Sequence, residues 1–133
     1  MTIKGVYTVK KFHKLSETEL EVMQTIWKCN GPVKSSELLK IFAESKGKEW
    51  KGQTIATFLA RLADKGFLYV HKEGRSNTYI PRISPKEYKQ LEARGVLNAM
   101  YQGSIKNFLS ALYDNEKMSN DEIKELKQWF SKK

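Results

Sequence analysis

Cysteine is almost absent: Cys29 stands alone among 133 residues, so no intramolecular disulfide framework forms and nothing points to an oxidising compartment. No apolar run approaches the roughly 18 to 20 residues that a membrane span needs. The N-terminal Met-Thr-Ile-Lys-Gly-Val-Tyr also lacks the apolar core of a secretion signal. A cytoplasmic protein without direct membrane insertion is therefore expected. Histidine is scarce, and His13, His71 and Cys29 lie too far apart for a metal-ligand spacing. No phosphate-cradling loop of the Walker type is present. These gaps leave no catalytic constellation, so we expect no enzyme activity, no metal and no cofactor. Acids are the minority, 15 against 24 basic side chains, for a net charge of +9. Such a balance favours polyanionic partners. The excess is concentrated, since residues 1–83 carry +7 and residues 84–133 only +2.

Residues 1–14 hold Lys4, Lys10, Lys11 and Lys14 and no acid. They read as a basic N-terminal arm, for which a disordered leader and a segment that tracks phosphates or a minor groove both stand as readings. Ser16-Glu-Thr-Glu19 is a capping box that opens a helix. Leu20, Met23, Ile26 and Trp27 form its apolar stripe, and Asn30-Gly31-Pro32 stops it. Val33-Lys34 suffices for a short strand. Ser35 then caps a second helix, with Leu38, Leu39, Ile41 and Phe42 inward and Gly47 at its end. A third helix spans about residues 52–65 and terminates at Gly66.

In that third helix Ile55, Leu59 and Leu62, with Phe58 beside them, recur at helical spacing and leave Gln53, Thr54, Thr57 and Arg61 on a second face. One apolar stripe opposite one hydrogen-bonding stripe suits a helix that docks on its own domain and meets base edges in a major groove. Taken alone, the segment also fits an ordinary amphipathic surface helix. Residues 67–71 and 77–81 are rich in β-branched and aromatic side chains, and they flank a polar 72–76, which spells a β-hairpin. Three helices, a short strand and a hairpin follow the order of a winged helix-turn-helix domain. The expected fold is thus mainly α with a small β-wing: a DNA-binding unit over 15–83 and a three-helix dimerisation unit over 84–133.

The second unit opens on Ser84-Pro-Lys-Glu87, a capping box with proline at the first helical position. Tyr88, Leu91, Leu97, Met100 and Tyr101 mark a long helix that Gly95 should weaken or bend. Ile105, Phe108, Leu109, Leu112 and Tyr113 give the cleanest periodicity in the chain. Ser119-Asn-Asp-Glu122 caps a last helix with Ile123, Leu126, Trp129 and Phe130 on one side. About 50 residues in three helices have too little interior for this much apolar surface. A homodimer is the preferred cover, from Tyr88, Leu97, Met100, Tyr101, Ile105, Phe108, Leu109, Leu112, Ile123, Leu126, Trp129 and Phe130. Folding back on the first unit is the competing account.

For double-stranded DNA the roles divide. Gln53, Thr54 and Thr57 are assigned to base edges, and Arg61 to a phosphate or a base near the groove rim. Lys51, Lys72, Arg75 and Asn77 are assigned to phosphates, joined by Ser35 and Ser36 at the start of the second helix. Trp50 reads as a packing ring that also touches a phosphate.

The segment from Leu15 to Trp27, Trp50 with Thr54-Ile-Ala-Thr-Phe-Leu-Ala-Arg-Leu-Ala-Asp-Lys-Gly66, and the wing ending in Tyr79 resemble the penicillinase and methicillin-resistance repressor family (BlaI/MecI). The likeness runs from about Leu15 to the end of the chain. It implies a dimeric winged-helix repressor that binds a palindromic operator, controls a β-lactam-resistance or related operon, and answers to a membrane-bound sensor protease. It also implies cleavage at an Asn-Phe bond inside the dimerisation unit, for which Asn107 and Phe108 are the matching pair. The chain departs from the pattern at the start of the reading helix. Where the family has Trp-Ser-Pro-Lys-Thr, this sequence has Trp50-Lys51-Gly52-Gln53-Thr54, and Ala56 fills a position that elsewhere carries arginine. Glutamine pairs naturally with adenine and lysine with guanine or phosphate, so a different operator sequence is expected. The paired C-terminal cysteines of copper-responsive relatives are missing, which argues against copper sensing. The alternatives are a winged-helix protein-interaction module and a repressor that answers to another signal without cleavage. Steep salt dependence of duplex binding separates DNA binding from the first of these.

Overall fold

The computed structural model describes residues 14–114 and 118–133, which divide into two compact units with the boundary between Glu92 and Ala93. Residues 1–13, most of the stretch read from sequence as a basic arm, and residues 115–117 lie outside the described residues.

Helix α1 spans Glu17–Lys28, and its capping box is complete: Ser16 Oγ accepts from the Glu19 N–H at 3.2 Å and the Glu19 carboxylate accepts from the Ser16 N–H at 2.9 Å. Asn30 (φ 58°) provides the left-handed residue that ends this stretch. Strand β1, Val33–Lys34, leads into α2, Ser35–Lys46. Here the cap differs from the sequence reading. Lys34 is the capping position and Ser35 is already helical, because Glu37 accepts from the Lys34 N–H at 2.8 Å and draws the helix start forward by one residue. Helix α3, Gly52–Asp64, ends on Lys65 as its cap and Gly66 at φ 90°, a left-handed conformation that a side chain would strain.

Strands β2, Leu68–Glu73, and β3, Ser76–Pro81, pair antiparallel, and β3 also pairs with β1, for a sheet order of β1-β3-β2. The strands run closer together than the sequence suggests. Glu73 faces Ser76, so the turn is only Gly74-Arg75, and Gly74 (φ 63°) takes the left-handed first position of a two-residue hairpin. Lys72, expected in the polar tip, is therefore a strand residue and the cross-strand partner of Asn77.

One core holds this unit together. Val22, Met23 and Ile26 of α1, Leu38 and Phe42 of α2, and Ile55, Leu59 and Leu62 of α3 are fully buried, joined by Phe67, Leu68, Tyr79 and Ile83. Each such side chain contributes on the order of 2 kcal/mol through burial. The Trp27 indole N–H donates to the Ile83 carbonyl at 2.8 Å and ties the segment after the wing to α1.

Helix α4, Pro85–Tyr101, starts with the Ser84–Glu87 capping box and continues as one helix through Gly95. Its first turns belong to the winged unit. Tyr88, grouped by sequence with the dimerisation residues, is instead 3% exposed in the core: its ring meets Trp27 and Phe67 at 6.1 and 5.8 Å, and its hydroxyl accepts from the Leu15 N–H at 3.3 Å. That assignment is corrected, since a ring already enclosed by its own domain has no face left for a partner. Leu91 also packs against this core.

The second unit contains the end of α4, helix α5 (Ile105–Asp114) and helix α6 (Asn120–Ser131). Ser119 and Glu122 form the expected capping box at α6.

Candidate nucleic-acid interface

Helix α3 is amphipathic in the way the sequence requires. Ile55, Leu59 and Leu62 are buried to the last atom, while Gln53 and Arg61 are exposed and Thr54 and Thr57 half-buried along the other face. The Thr57 hydroxyl donates to the Gln53 carbonyl at 2.9 Å, so its oxygen keeps lone pairs able to accept another hydrogen bond. Ala56 is exposed on the same turn and offers only a methyl group.

The entry to α3 has no side-chain cap, since Lys51 occupies the capping position and makes no capping hydrogen bond. An aromatic stack holds the entry in place instead. Trp50 lies on Phe42 of α2, with ring centroids 4.6 Å apart, and meets Phe58 of α3 at 5.4 Å. The Lys48 ammonium sits 5.5 Å from the Trp50 ring centroid and the Arg61 guanidinium 6.0 Å from that of Phe58. Trp50 is thus the packing ring that the sequence suggested, with an edge in solvent.

Charge pairs between residues distant in sequence have no local signature in the chain. Lys65 at the end of α3 donates to both Glu19 oxygens, at 2.8 and 2.9 Å, although that carboxylate is nearly buried. Burial pushes the Glu19 carboxyl up, but the Lys65 ammonium and the Ser16 N–H outweigh it and hold the group below its usual range. Lys48 donates to Glu21 at 2.6 Å, with Lys46 at 3.7 Å, and the Lys48 hydrogen bond holds the Glu21 carboxyl low as well. The Cys29 thiol donates to the Thr25 carbonyl at 3.3 Å, and burial, aided by Glu37, pushes its pKa up, away from a reactive thiolate.

The wing supplies the second group of candidates. Lys72 and Asn77 face each other across β2 and β3, and Arg75 occupies the exposed turn. Asn77 Nδ2 is 3.5 Å from the Tyr79 hydroxyl on the same strand face. Leu68 and Tyr79 at the wing's base share the core with Ile55, Leu59 and Leu62. Reading helix and wing are thereby fixed to one body. Ser35 and Ser36 occupy the first two positions of α2, half-buried and exposed respectively. Arg82, not singled out from sequence, lies over the exposed Tyr69 ring at 4.7 Å.

The residues expected from sequence to cover a dimer contact, Tyr88 apart, lie in the second unit. Among its described residues none is buried, and Met100, Ile105, Tyr113, Trp129 and Phe130 are more than half exposed. An apolar groove of about 890 Å³ runs between α5 and α6, lined by Ile105, Leu109, Tyr113, Met118, Ile123, Leu126 and Phe130 among others. Leu97, Tyr101, Phe108 and Leu112 are half-buried, and Asn107 is exposed in the first turn of α5. Among the described residues no cluster of potential metal ligands occurs, and no helix is long and apolar enough to cross a membrane.

Three helices around one core, a short strand, and a hairpin on the edge of the same core define a winged helix-turn-helix domain, the class in which the third helix carries the exposed polar stripe. The chain belongs to the penicillinase repressor family, whose model matches residues 15–132. It is 38% identical over 120 residues to the penicillinase repressor of Bacillus licheniformis, covering 90% of this chain and 91% of that one. It is 28% identical over 123 residues to the methicillin resistance regulatory protein MecI of Staphylococcus aureus (strain N315), covering 92% of this chain and 98% of the relative. The solution structure of the DNA-binding domain of the repressor BlaI is similar at a TM-score of 0.51 and 42% identity, over 59% of this chain and 93% of that domain.

Proposed function

We propose that this chain is a cytoplasmic, dimeric transcriptional repressor that binds a palindromic operator in double-stranded DNA. Helix α3 enters the major groove with Gln53, Thr54 and Thr57 toward base edges and Arg61 toward the rim. Lys51, Lys72, Arg75, Asn77 and the start of α2 at Ser35 and Ser36 hold phosphates. The observation that carries this reading is the division of α3, apolar face wholly buried and polar face open, on the same core as a basic wing. Net charge and family membership agree with it.

The homodimer forms through the second unit, whose apolar side chains find no interior of their own. Leu97, Met100, Tyr101, Ile105, Phe108, Leu109, Leu112, Ile123, Leu126, Trp129 and Phe130 supply the contact. The names of the relatives point to control of a β-lactam-resistance operon. A membrane-bound sensor protease would end repression by cutting between Asn107 and Phe108, which separates the last two apolar helices from the DNA-binding unit.

Selecting bound sites from random duplex DNA at about 0.15 M salt tests the reading directly. The expected product is a palindrome with half-sites about one helical turn apart. Equal, weak binding to every duplex, unchanged by Gln53→Ala or Thr57→Ala, would overturn the repressor assignment in favour of a protein-interaction module.

A further inference from the structure

Three contacts converge on the peptide bond between Asn107 and Phe108. Ser104 precedes the first residue of α5, and its hydroxyl oxygen accepts from the Asn107 N–H at 3.0 Å. The Ser104 carbonyl accepts from the Phe108 N–H, the amide of that very bond, at 3.1 Å. The Phe108 ring meets the Tyr101 ring edge-on, with centroids 5.3 Å apart and planes at 75°. The turn that makes these contacts is itself closed, because the Ser104 N–H donates to the Tyr101 carbonyl at 2.8 Å across Gln102 and Gly103, both at positive φ.

An endoprotease reads its substrate as an extended strand that pairs through main-chain groups. A bond in the first turn of a helix must therefore leave the helix before it is cut. Helix ends open at far less cost than helix interiors, because their first N–H groups lack intrahelical partners and depend on caps. Here the cap is Ser104. We propose that the turn from Tyr101 to Ser104 is a latch on the Asn107–Phe108 bond, with Ser104 as its positioning residue, and that local opening of this latch sets the rate of proteolysis at the start of α5. The proposal deepens the cleavage reading given above and rests on it for its biological use.

The test compares the full chain with Ser104→Ala, which removes the cap, and Ser104→Asp, which restores an acceptor there. Amide hydrogen exchange is followed at Asn107 and Phe108, with Leu126 in α6 as the reference. Chymotryptic cutting after Phe108, in the same turn, is quantified by mass spectrometry. Loss of a helix cap increases the opened population roughly fivefold, and cutting follows that population when reclosing is fast. The expected result is a roughly fivefold rise in both rates for Ser104→Ala, near wild-type rates for Ser104→Asp, and no change at Leu126. Unchanged rates in Ser104→Ala, or failure of Ser104→Asp to restore them, would overturn the latch. If the latch behaves as expected but a co-expressed sensor protease never cuts between Asn107 and Phe108, the cleavage reading fails and the latch stands.

Discussion

Breaking the Glu19–Lys65 pair should cost different amounts from its two sides. The Glu19 side chain is 5% exposed and the Lys65 side chain 28%, so only the ammonium has ready access to water. In Glu19→Gln the lysine swings outward and rehydrates. The remaining amide oxygen still accepts from the Ser16 N–H, which keeps one bond of the α1 capping box. The cost is then about 1 to 2 kcal/mol, the value of a charge-assisted hydrogen bond. In Lys65→Met the carboxylate stays buried without its counter-ion, and removal of one partner from a buried pair costs about 3 to 5 kcal/mol. Partial solvation of the site places Lys65→Met near the lower bound, about 3 kcal/mol. The double variant should lie well below the sum of the singles, because both remove one shared interaction. Urea unfolding followed by tryptophan fluorescence, at a single protomer concentration, measures all three changes. The Glu19 carboxyl is depressed in the folded state, so the stabilisation is fully present above the unfolded carboxylate value of about 4.3 and is lost as pH falls through the lower, folded value. The gap between wild type and Lys65→Met should narrow as pH falls, first as the unpaired carboxyl of the variant takes up its proton and then as wild type loses its ion pair. Equal costs for the two singles, or strict additivity in the double variant, would refute the argument from burial.

Arg75→Ala at the wing turn should weaken all duplexes alike and reduce the log-log salt slope by roughly 0.9, measured by fluorescence anisotropy across a salt series. Gln53→Ala should cost roughly 1 to 3 kcal/mol on the selected site and little on mismatched DNA, which a competition assay resolves. Tyr88→Phe should lower the stability of the winged unit by about 1 kcal/mol through loss of the hydrogen bond to Leu15, with the sedimentation profile unchanged because the ring is enclosed by its own domain. Phe108→Ala should weaken dimerisation by roughly 2 to 4 kcal/mol if its ring is covered by the second copy, and sedimentation that reports a monomer for both proteins would remove the dimer account.

The winged unit was legible because its signals are local. Capping boxes at Ser16, Ser84 and Ser119 fix helix starts through side chains three residues apart, and each is present. The stripe of Ile55, Leu59 and Leu62 needs only helical period to be read, and all three are fully buried. Contacts between residues distant along the chain carry no such signal. The Glu19–Lys65 pair joins residues 46 positions apart, and no pattern within either helix announces it. The hairpin's strands extend a residue or two further toward the turn than side-chain polarity suggests. Lys72, Glu73 and Ser76 are polar, and polarity reads as loop, yet a wing projects beyond the core and its strands continue with both faces in solvent. Gly74 at its left-handed position was the available sign of the true turn.

Helix α4 shows where reading by period fails even when the period is correct. Tyr88, Leu97, Met100 and Tyr101 share one helix and read from sequence as one dimer surface, yet Tyr88 and Leu97 are nine residues apart. At about 100° per residue they project from opposite sides. Met100 and Tyr101 fall on the Leu97 side, whereas Leu91 falls within about 60° of Tyr88. The helix therefore carries two stripes, and the structure assigns the first to the winged core, where Tyr88 and Leu91 pack. The second stripe, with Leu97 and Tyr101 half-buried and Met100 71% exposed, belongs with the uncovered apolar residues of α5 and α6. Angular bookkeeping along the helix would have separated the two sets from the sequence alone. It also makes the dimer proposal sharper: its surface begins at Leu97 and excludes Tyr88, so substitutions on the first stripe should change unfolding and those on the second should change association.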